Sequence, residues 1–231
     1  MNMREVQFID SLDEETLNEH YRTFADFGCI LNAFSFPPPG IKTHTVDLPG
    51  ADGSIDLTTA LTDGEPRYND RIGTITLIAT GKHWKKKLDK ITNALHGRKF
   101  YICGPDDEWW YSGRIAVSDY NPNGNIGTIT LTCTCEPWKY AKSENVTVYE
   151  LSTAPLTKKI LNNGRRKAIP TLTITRGVTV TLSSGSKTIN GFSGGSIYIL
   201  TDFPIPPSGL TLTATGNGSG KAYIVFREAV L

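Results

Sequence analysis

One stretch of the chain has the spacing of a serine-hydrolase nucleophile. Gly191-Phe192-Ser193-Gly194-Gly195 fits the pattern G-x-S-x-G, in which a sharp turn between a strand and a helix exposes the serine hydroxyl. Residues 197–201, which follow, have the character of a strand, and the last histidine of the chain is His96. Because an α/β-hydrolase places its histidine after the serine, the sequence favours a glycine-rich turn between strands over a catalytic Ser193.

Two cysteines are spaced so that they could contribute ligands to a metal. Cys133 and Cys135 lie two residues apart on a predicted strand and therefore face the same side as Ile129 and Leu131. The chain has no second close cysteine pair, and its four histidines show no ligand spacing. We therefore predict that the pair lies in the core, and we interpret Cys29 and Cys103 in the same way.

Asp106-Asp107-Glu108 could support acid–base chemistry or hold a calcium ion. The triplet directly follows Gly104-Pro105 between two predicted strands, and it lacks the EF-hand loop pattern. A solvated turn is the simpler interpretation. The sequence therefore predicts no enzyme active site and implies neither a metal nor a cofactor.

One segment, residues 83–96, has clear helical periodicity. Its apolar stripe is formed by Trp84, Leu88, Ile91 and Leu95. Gly97 stands where a helix commonly ends. The other face carries Lys82, Lys85, Lys86, Lys87 and Lys90. Such a cluster is usually solvated, but it could also meet an acidic surface on a neighbouring chain.

Period-two alternation and turn residues predict strands throughout the rest of the chain. Before residue 146 they are expected at 28–31, 43–48, 55–57, 71–80, 99–103, 109–117 and 126–135. A helix N-cap signal at Ser11 predicts a short helix through about Tyr21. After residue 146 strands are expected at 172–175, 178–182, 197–201, 210–214 and 222–227, a spacing typical of an all-β sandwich.

Charge and composition divide the 231 residues into two parts. Residues 1–145 carry 15 Lys and Arg against 20 Asp and Glu, whereas residues 146–231 carry 9 against 3. All four tryptophans lie at or before Trp138. We therefore predict one domain over residues 1–145 and a second over 146–231. Residues 162–167 are expected to form an exposed loop that proteases cleave.

The overall composition excludes several classes of protein. Apolar residues make up 39% and charged residues 20% of the chain, and the formal net charge is +1. These values argue against a disordered chain and against a dedicated nucleic-acid binder. No apolar stretch approaches the length of a transmembrane helix, and the first residues lack the apolar centre of a secretion signal.

Six segments between residues 24 and 140 carry a family resemblance. They are Phe24-Ala25-Asp26-Phe27-Gly28-Cys29-Ile30-Leu31; Val46-Asp47-Leu48-Pro49-Gly50-Ala51-Asp52-Gly53-Ser54-Ile55-Asp56-Leu57-Thr58; Tyr68-Asn69-Asp70-Arg71; Ala94-Leu95-His96-Gly97-Arg98-Lys99; Trp110-Tyr111-Ser112-Gly113-Arg114; and Cys133-Thr134-Cys135-Glu136-Pro137-Trp138-Lys139-Tyr140. In this order they resemble the distal tail protein of long-tailed, siphovirus-type bacteriophages and prophages of Gram-positive bacteria. Residues 1–23 and 146–231 match that family only in general character.

The resemblance implies a structural role without catalysis. It implies a mainly β fold with one prominent helix: an α+β ring domain over residues 1–145, then an all-β, galectin-like sandwich over 146–231. The first domain would form a homo-hexameric ring that joins the tail tube protein to the tail-associated tip protein. DNA would pass through the channel without sequence-specific binding, and a receptor-binding protein could attach outside. The location implied is the virion tail tip, and the host cytoplasm during assembly.

The signature residues carry over as fold and ring positions rather than as a catalytic site. They are Pro49, Gly50, Asp52, Gly53, Tyr68, Arg71, His96, Gly97, Tyr111, Gly113, Arg114, Cys135 and Pro137. For contacts between subunits we expect apolar loop residues and helix lysines that pair with acids at 13–15, 52, 56 and 106–108. The expected contact residues are Phe34, Phe36, Lys86 and Lys90.

The sequence also allows a second function, namely glycan binding by the second domain during host attachment. The chain matches the short form of the family, because no long carbohydrate-binding insertion interrupts residues 146–231. An exposed aromatic platform would favour glycan binding. The candidates are Tyr149, Phe192, Tyr198, Phe203, Tyr223 and Phe226.

Overall fold

A computed structural model describes residues 4–13, 15–50, 52–62 and 64–231. The chain divides into two compact units, of which the first ends at Lys139 but includes Leu231, and the second is Tyr140–Val230. The described residues form many antiparallel strands and one α-helix. The expectation of a mainly β fold with one prominent helix is therefore confirmed.

The first unit is built on one antiparallel sheet. Its strands, in chain order, are β1 (Gln7–Ile9), β2 (His20–Arg22), β3 (Cys29–Ser35), β6 (Arg71–Thr80), β7 (Lys99–Cys103), β8 (Trp109–Asn123) and β9 (Ile126–Ala141). They lie side by side in the order β2-β1-β7-β8-β9-β6-β3. Between β3 and β6, β4 (Thr45–Asp47) and β5 (Ser54–Asp56) form a separate two-stranded hairpin.

The core of the first unit lies between this sheet and helix α1 (Trp84–Leu95). Alternate residues of β6 and β9 point toward the helix, and Ile75 pairs with Leu131 while Leu77 pairs with Ile129. The predicted helix is confirmed, since Trp84, Ile91 and Leu95 are buried and Leu88 packs against the same core. The indole of Trp84 lies on Gly127, where an added Cβ would come within 2.2 Å of the ring.

The second unit consists of two four-stranded sheets that share one core. The first sheet has the order β10 (Asn145–Leu151), β17 (Gly220–Phe226), β12 (Thr171–Ile174) and β15 (Ile197–Ile199). The second has the order β11 (Leu156–Ile160), β16 (Leu210–Gly216), β13 (Thr179–Ser184) and β14 (Lys187–Ser193). The short strand β18 (Ala229–Val230) belongs to neither of these two sheets. Apolar residues from both sheets, including the fully buried Tyr149, form this core.

The structure differs from the sequence-based expectation in three local respects. The helix predicted from Ser11 to Tyr21 is wrong, because its described residues form turns and β2, which pairs with β1; Glu14 lies outside the described residues. Strands β10, β11 and β14 were not predicted, and β8 and β9 extend beyond their predicted ends. In the predicted loop at 162–167, Asn162 is buried, and its side-chain amide donates to the carbonyls of Arg166 and Ile205.

Candidate assembly surfaces

Arg71 is a buried cation that joins three segments of the first unit. It opens β6, and its side chain is only 2% exposed. Its guanidinium donates to the carbonyls of Phe36 (3.1 Å), Pro37 (2.7 Å) and Pro137 (3.0 Å). Within the described residues its Nε has no hydrogen-bond partner. Burial lowers the pKa of Arg71 from its ordinary value, and the guanidinium acts as a clamp on neutral carbonyl groups.

Three aromatic rings lie beside this clamp. Phe34 and Phe36 stack at 4.6 Å between centroids, Phe36 lies 4.4 Å from Tyr111, and the Arg71 guanidinium lies 5.5 Å from the Tyr111 ring. Burial, with a hydrogen bond to Asp107, raises the pKa of Tyr111. Phe34 and Phe36 are half-buried against their own core, so only part of each ring is available for the subunit contact that the sequence suggested.

Four further signature residues, Cys135, Gly113, Pro137 and Tyr68, also make packing or hydrogen-bond contacts within the first unit. Cys135 is 1% exposed, and burial raises its pKa to about 12. Gly113 lies against it, so that an added Cβ would come within 2.3 Å of the Cys135 Sγ. Pro137 supplies one of the three carbonyls, and Tyr68 packs edge-on against Trp138 at 5.8 Å. These positions contribute to the packing of the first unit.

The end of α1 explains a second group of signature residues. Gly97 has φ +76°, which favours glycine, and its amide donates to the Ile115 carbonyl at 2.7 Å. Arg114 donates to the Gly97 carbonyl. The Val117 amide donates to Nδ1 of His96 at 3.0 Å. The motif therefore fastens the helix end to β8.

The hairpin β4–β5 carries the longest signature segment, and we call residues 44–57 the arm. Every described residue from 41 to 57 is exposed. Val46 pairs with Ile55, and Thr45 pairs with Asp56. Alternation therefore places Val46, Leu48, Ile55 and Leu57, which are 37–47% exposed, on one face. Asp47 and Asp56 lie on the other face.

The turn of the arm accounts for the remaining signature positions. Pro49, Gly50, Asp52 and Gly53 join its two strands, and both glycines have positive φ, +84° and +77°. An L side chain would be strained at either glycine. The apolar residues of the arm alternate in the sequence, but alternation alone does not show that they form an exposed surface.

The lysine-rich face of α1 is only partly free. The Lys87 Nζ donates to the Gly28 carbonyl at 2.7 Å, and the Lys90 Nζ donates to the Asp26 carbonyl at 2.6 Å. Lys82, Lys85 and Lys86 are exposed. Between α1 and β8 lies a groove of about 570 Å³, lined by apolar residues that include Leu88, Val117 and Tyr120 and by Lys85, Asp89 and Asp119 among others.

The residues that suggested catalysis are not arranged for it. Ser193 ends β14, and after a turn β15 follows rather than a helix. Its backbone amide donates to the Tyr198 hydroxyl at 2.9 Å, and that hydroxyl donates to the Ser193 carbonyl at 3.1 Å. An added Cβ on Gly194 would come within 1.8 Å of the Thr175 carbonyl oxygen, so close packing explains this glycine. The predicted turn is confirmed for Gly194 and Gly195, whereas Gly191, Phe192 and Ser193 belong to β14.

The cysteines and the acidic triplet also have structural surroundings. All four cysteines are buried, as predicted. In the triplet, Asp106 is exposed and pairs with Arg4 at 3.1 Å, and Asp107 contributes to the raised pKa of Tyr111. Within the described ranges no group of three potential ligands could hold a metal ion. No helix in those ranges is long and apolar enough to cross a membrane.

The second unit has an aliphatic rather than an aromatic exposed surface. Tyr149, Phe203 and Phe226 are buried, Phe192 and Tyr198 are half-buried, and Tyr223 is 36% exposed. On the sheet that contains β15, Ile197 and Ile199 are 74% and 70% exposed. The sequence did not indicate that these isoleucines are exposed, because alternation alone does not tell which face of a strand is covered.

This chain matches known proteins in fold rather than in overall sequence. No protein-family model matches it, and no curated protein matches it significantly. Among solved structures, the SPP1 Dit protein, described as a paradigm of the hub adsorption apparatus in phages that infect Gram-positive bacteria, matches with a TM-score of 0.65 and 16% identity. The match covers 98% of this chain and 99% of that one. A structure of the phage p2 baseplate matches with a TM-score of 0.44 and 8% identity, over 98% of each chain. Over nearly its whole length, this chain therefore has the fold of the SPP1 Dit protein.

Proposed function

We propose that this protein is a structural component of a bacteriophage tail tip. The observation that carries the proposal is the agreement in fold with the SPP1 Dit protein over nearly all of both chains. The six signature segments support the same role independently, since they resemble distal tail proteins in sequence, whereas the match to the SPP1 Dit protein is one of fold. The protein would act as the hub between the tail tube and the tip proteins of the virion.

The first unit is the part that would form the hub. In this proposal six copies close into a ring around a channel through which DNA passes without sequence-specific contacts. A closed ring requires a heterologous contact, in which two different patches of one subunit meet. The arm and the basic face of α1 are two such patches. The Arg71 clamp would keep the unit rigid enough to present them at a constant angle.

Light scattering and electron microscopy of the purified protein test the ring directly. Six chains of 25.3 kDa give a particle of about 152 kDa, visible as a ring with a central hole. The measurement is made at high protein concentration and moderate salt, because exposed ion pairs weaken as salt rises. A monomer under these conditions, and again after tail tube and tip proteins are added, would contradict the proposal.

We also propose that the protein has no hydrolase activity. The surroundings of Ser193 support this, because Tyr198 holds its backbone at the end of β14 and a strand rather than a helix follows the turn. The variant Ser193→Ala should equal the unmodified protein in esterase and peptidase assays with chromogenic substrates. A measurable activity that disappears in this variant would show that Ser193 is catalytic.

The second unit would carry attachments to other tail-tip proteins. Its exposed isoleucines, Ile197 and Ile199, favour a protein partner, such as a receptor-binding protein, over a sugar. Glycan binding has less support, because five of its six candidate aromatic residues are buried or half-buried. A glycan array on which Tyr223→Ala abolishes binding would restore the alternative.

A further inference from the structure

We propose that, in the ring, the arm of each copy docks on α1 of the next copy, with its aspartates on the free lysines and its apolar face in the groove between α1 and β8. This inference rests on the proposed ring. It adds which two surfaces meet and in what orientation.

First, the arm has an apolar face that the described residues leave largely exposed. Val46, Leu48, Ile55 and Leu57 share one side of a two-stranded ribbon, and each is more than a third exposed. Nearby, Leu61 is 97% exposed. An isolated two-stranded hairpin is at best marginally stable in water, and clustered exposed apolar residues mark interaction surfaces. The arm is therefore built to be covered by another chain.

The second step is that the charges identify a copy of the same chain as the cover. The arm contains Asp47, Asp52 and Asp56 but no lysine or arginine. The exposed lysines of the α1 region, Lys82, Lys85 and Lys86, do not bind the loop carbonyls that hold Lys87 and Lys90. Opposite charges on two separate patches fix the register of an interface. A second copy supplies the basic patch that the acidic arm requires.

The third step concerns the apolar face. The groove beside α1 offers Leu88, Val117 and Tyr120, of which Tyr120 is 53% exposed. Asp89 and Asp119 line it together with one lysine, Lys85, so the apolar side of an arm fits there better than its aspartates. With the apolar face in the groove, Asp52 at the turn and the edge of the acidic face lie at the rim of the groove, within reach of the long side chains of Lys82 and Lys86. One docking pose thus satisfies both faces.

Charge exchange between two variants tests the pairing. One variant carries Lys82→Glu, Lys85→Glu and Lys86→Glu, and the other carries Asp47→Lys and Asp52→Lys. Each alone should assemble at least tenfold more weakly than the unmodified protein, because each meets like charge at every contact. Mixed in equal amounts they should recover assembly, since a ring of six can alternate the two variants so that every contact is complementary.

A matched pair of arm variants tests the orientation. Ile55→Gln and Thr45→Gln introduce the same side chain on opposite faces of the same hairpin. We expect Ile55→Gln to raise the concentration needed for half-assembly by about tenfold, because it replaces an aliphatic side chain that the proposed contact would bury. Thr45→Gln should change that concentration less than about twofold, since it lies on the acidic face, where it alters no charge and removes no apolar contact. Equal effects of the two variants would overturn the proposed orientation.

The outcomes separate this inference from the proposed function. Suppose that the unmodified protein forms rings. If each charge variant then assembles as well as the unmodified protein, or if the mixture of the two variants does not recover assembly, the arm contact is wrong while the ring stands. If the unmodified protein stays monomeric alone and with tube and tip proteins, the ring and the arm contact are both refuted. Unfolding curves that match the unmodified protein will show that each variant folds, as expected for exposed positions.

Discussion

Replacing Arg71 by methionine should destabilise the first unit by about 3 kcal/mol. The guanidinium makes three hydrogen bonds to the carbonyls of Phe36, Pro37 and Pro137. A hydrogen bond to a charged group contributes about 1.5–3 kcal/mol, so three together give roughly 4–9 kcal/mol. Removing the cation also removes the free-energy cost of keeping it out of water, which is on the order of several kcal/mol. The expected net loss is the hydrogen-bond contribution minus this desolvation cost.

Urea unfolding followed by tryptophan fluorescence measures this loss in the first unit alone. All four tryptophans lie at or before Trp138, within that unit. With a denaturant slope of about 2 kcal/mol per molar urea, typical of small proteins, the unfolding midpoint should fall by about 1.5 M. Protein concentration is held constant, because assembly adds to the apparent stability.

Two control variants separate the clamp from the charge. Arg71→Lys keeps a cation but lacks the planar fork that reaches several carbonyls, so its loss should be intermediate. Arg114→Met removes an exposed arginine that donates to Gly97, and it should cost less than about 1 kcal/mol. If Arg71→Met destabilises the protein no more than Arg114→Met does, the reasoning about the clamp is refuted.

Three further predictions concern positions where packing or burial decides the outcome. Gly113→Ala should lose about 3 kcal/mol in the same urea assay, because the new Cβ would clash with Cys135; a normal midpoint would refute the close approach. Tyr149→Phe should cost the second unit about 1 kcal/mol, measured by urea unfolding with far-ultraviolet circular dichroism, since it removes the hydrogen bond to the Leu212 carbonyl. Burial raises the pKa of Tyr149 to about 12, so its contribution is complete below the ordinary pKa of about 10 and is lost as the pH rises toward 12; a pH dependence unchanged in Tyr149→Phe would contradict this. Asn162→Ala should speed trypsin cleavage at residues 165–167, because Asn162 anchors that loop; rapid cleavage of the unmodified loop would show that the anchor is weak.

The sequence by itself predicted the elements whose pattern is local and regular. The alternation of β6 gave its bounds, because successive side chains of a strand point to opposite sides of the sheet. The stripe of α1 and Gly97 after it were predicted because helical spacing and a left-handed end residue are properties of the segment itself. The strand character of residues 197–201 in the same way predicted a strand rather than a helix after Ser193, which argued against catalysis.

Only the tertiary structure decided what depends on residues far apart in the chain. Ser11 carries a local helix signal, but its hydroxyl accepts from the Asp13 amide within a turn, and the end of that stretch pairs as β2 with β1. The resemblance marked Arg71 as a fold or ring position, but only the structure shows its contacts. The carbonyls of Phe36, Pro37 and Pro137, which lie 34–66 residues away in the chain, accept hydrogen bonds from its guanidinium. The arm shows the same limit: its alternation predicts two faces, but whether an apolar face is covered or open is a matter of tertiary contacts. A sequence pattern encodes local geometry, whereas burial is set by which distant segments come together.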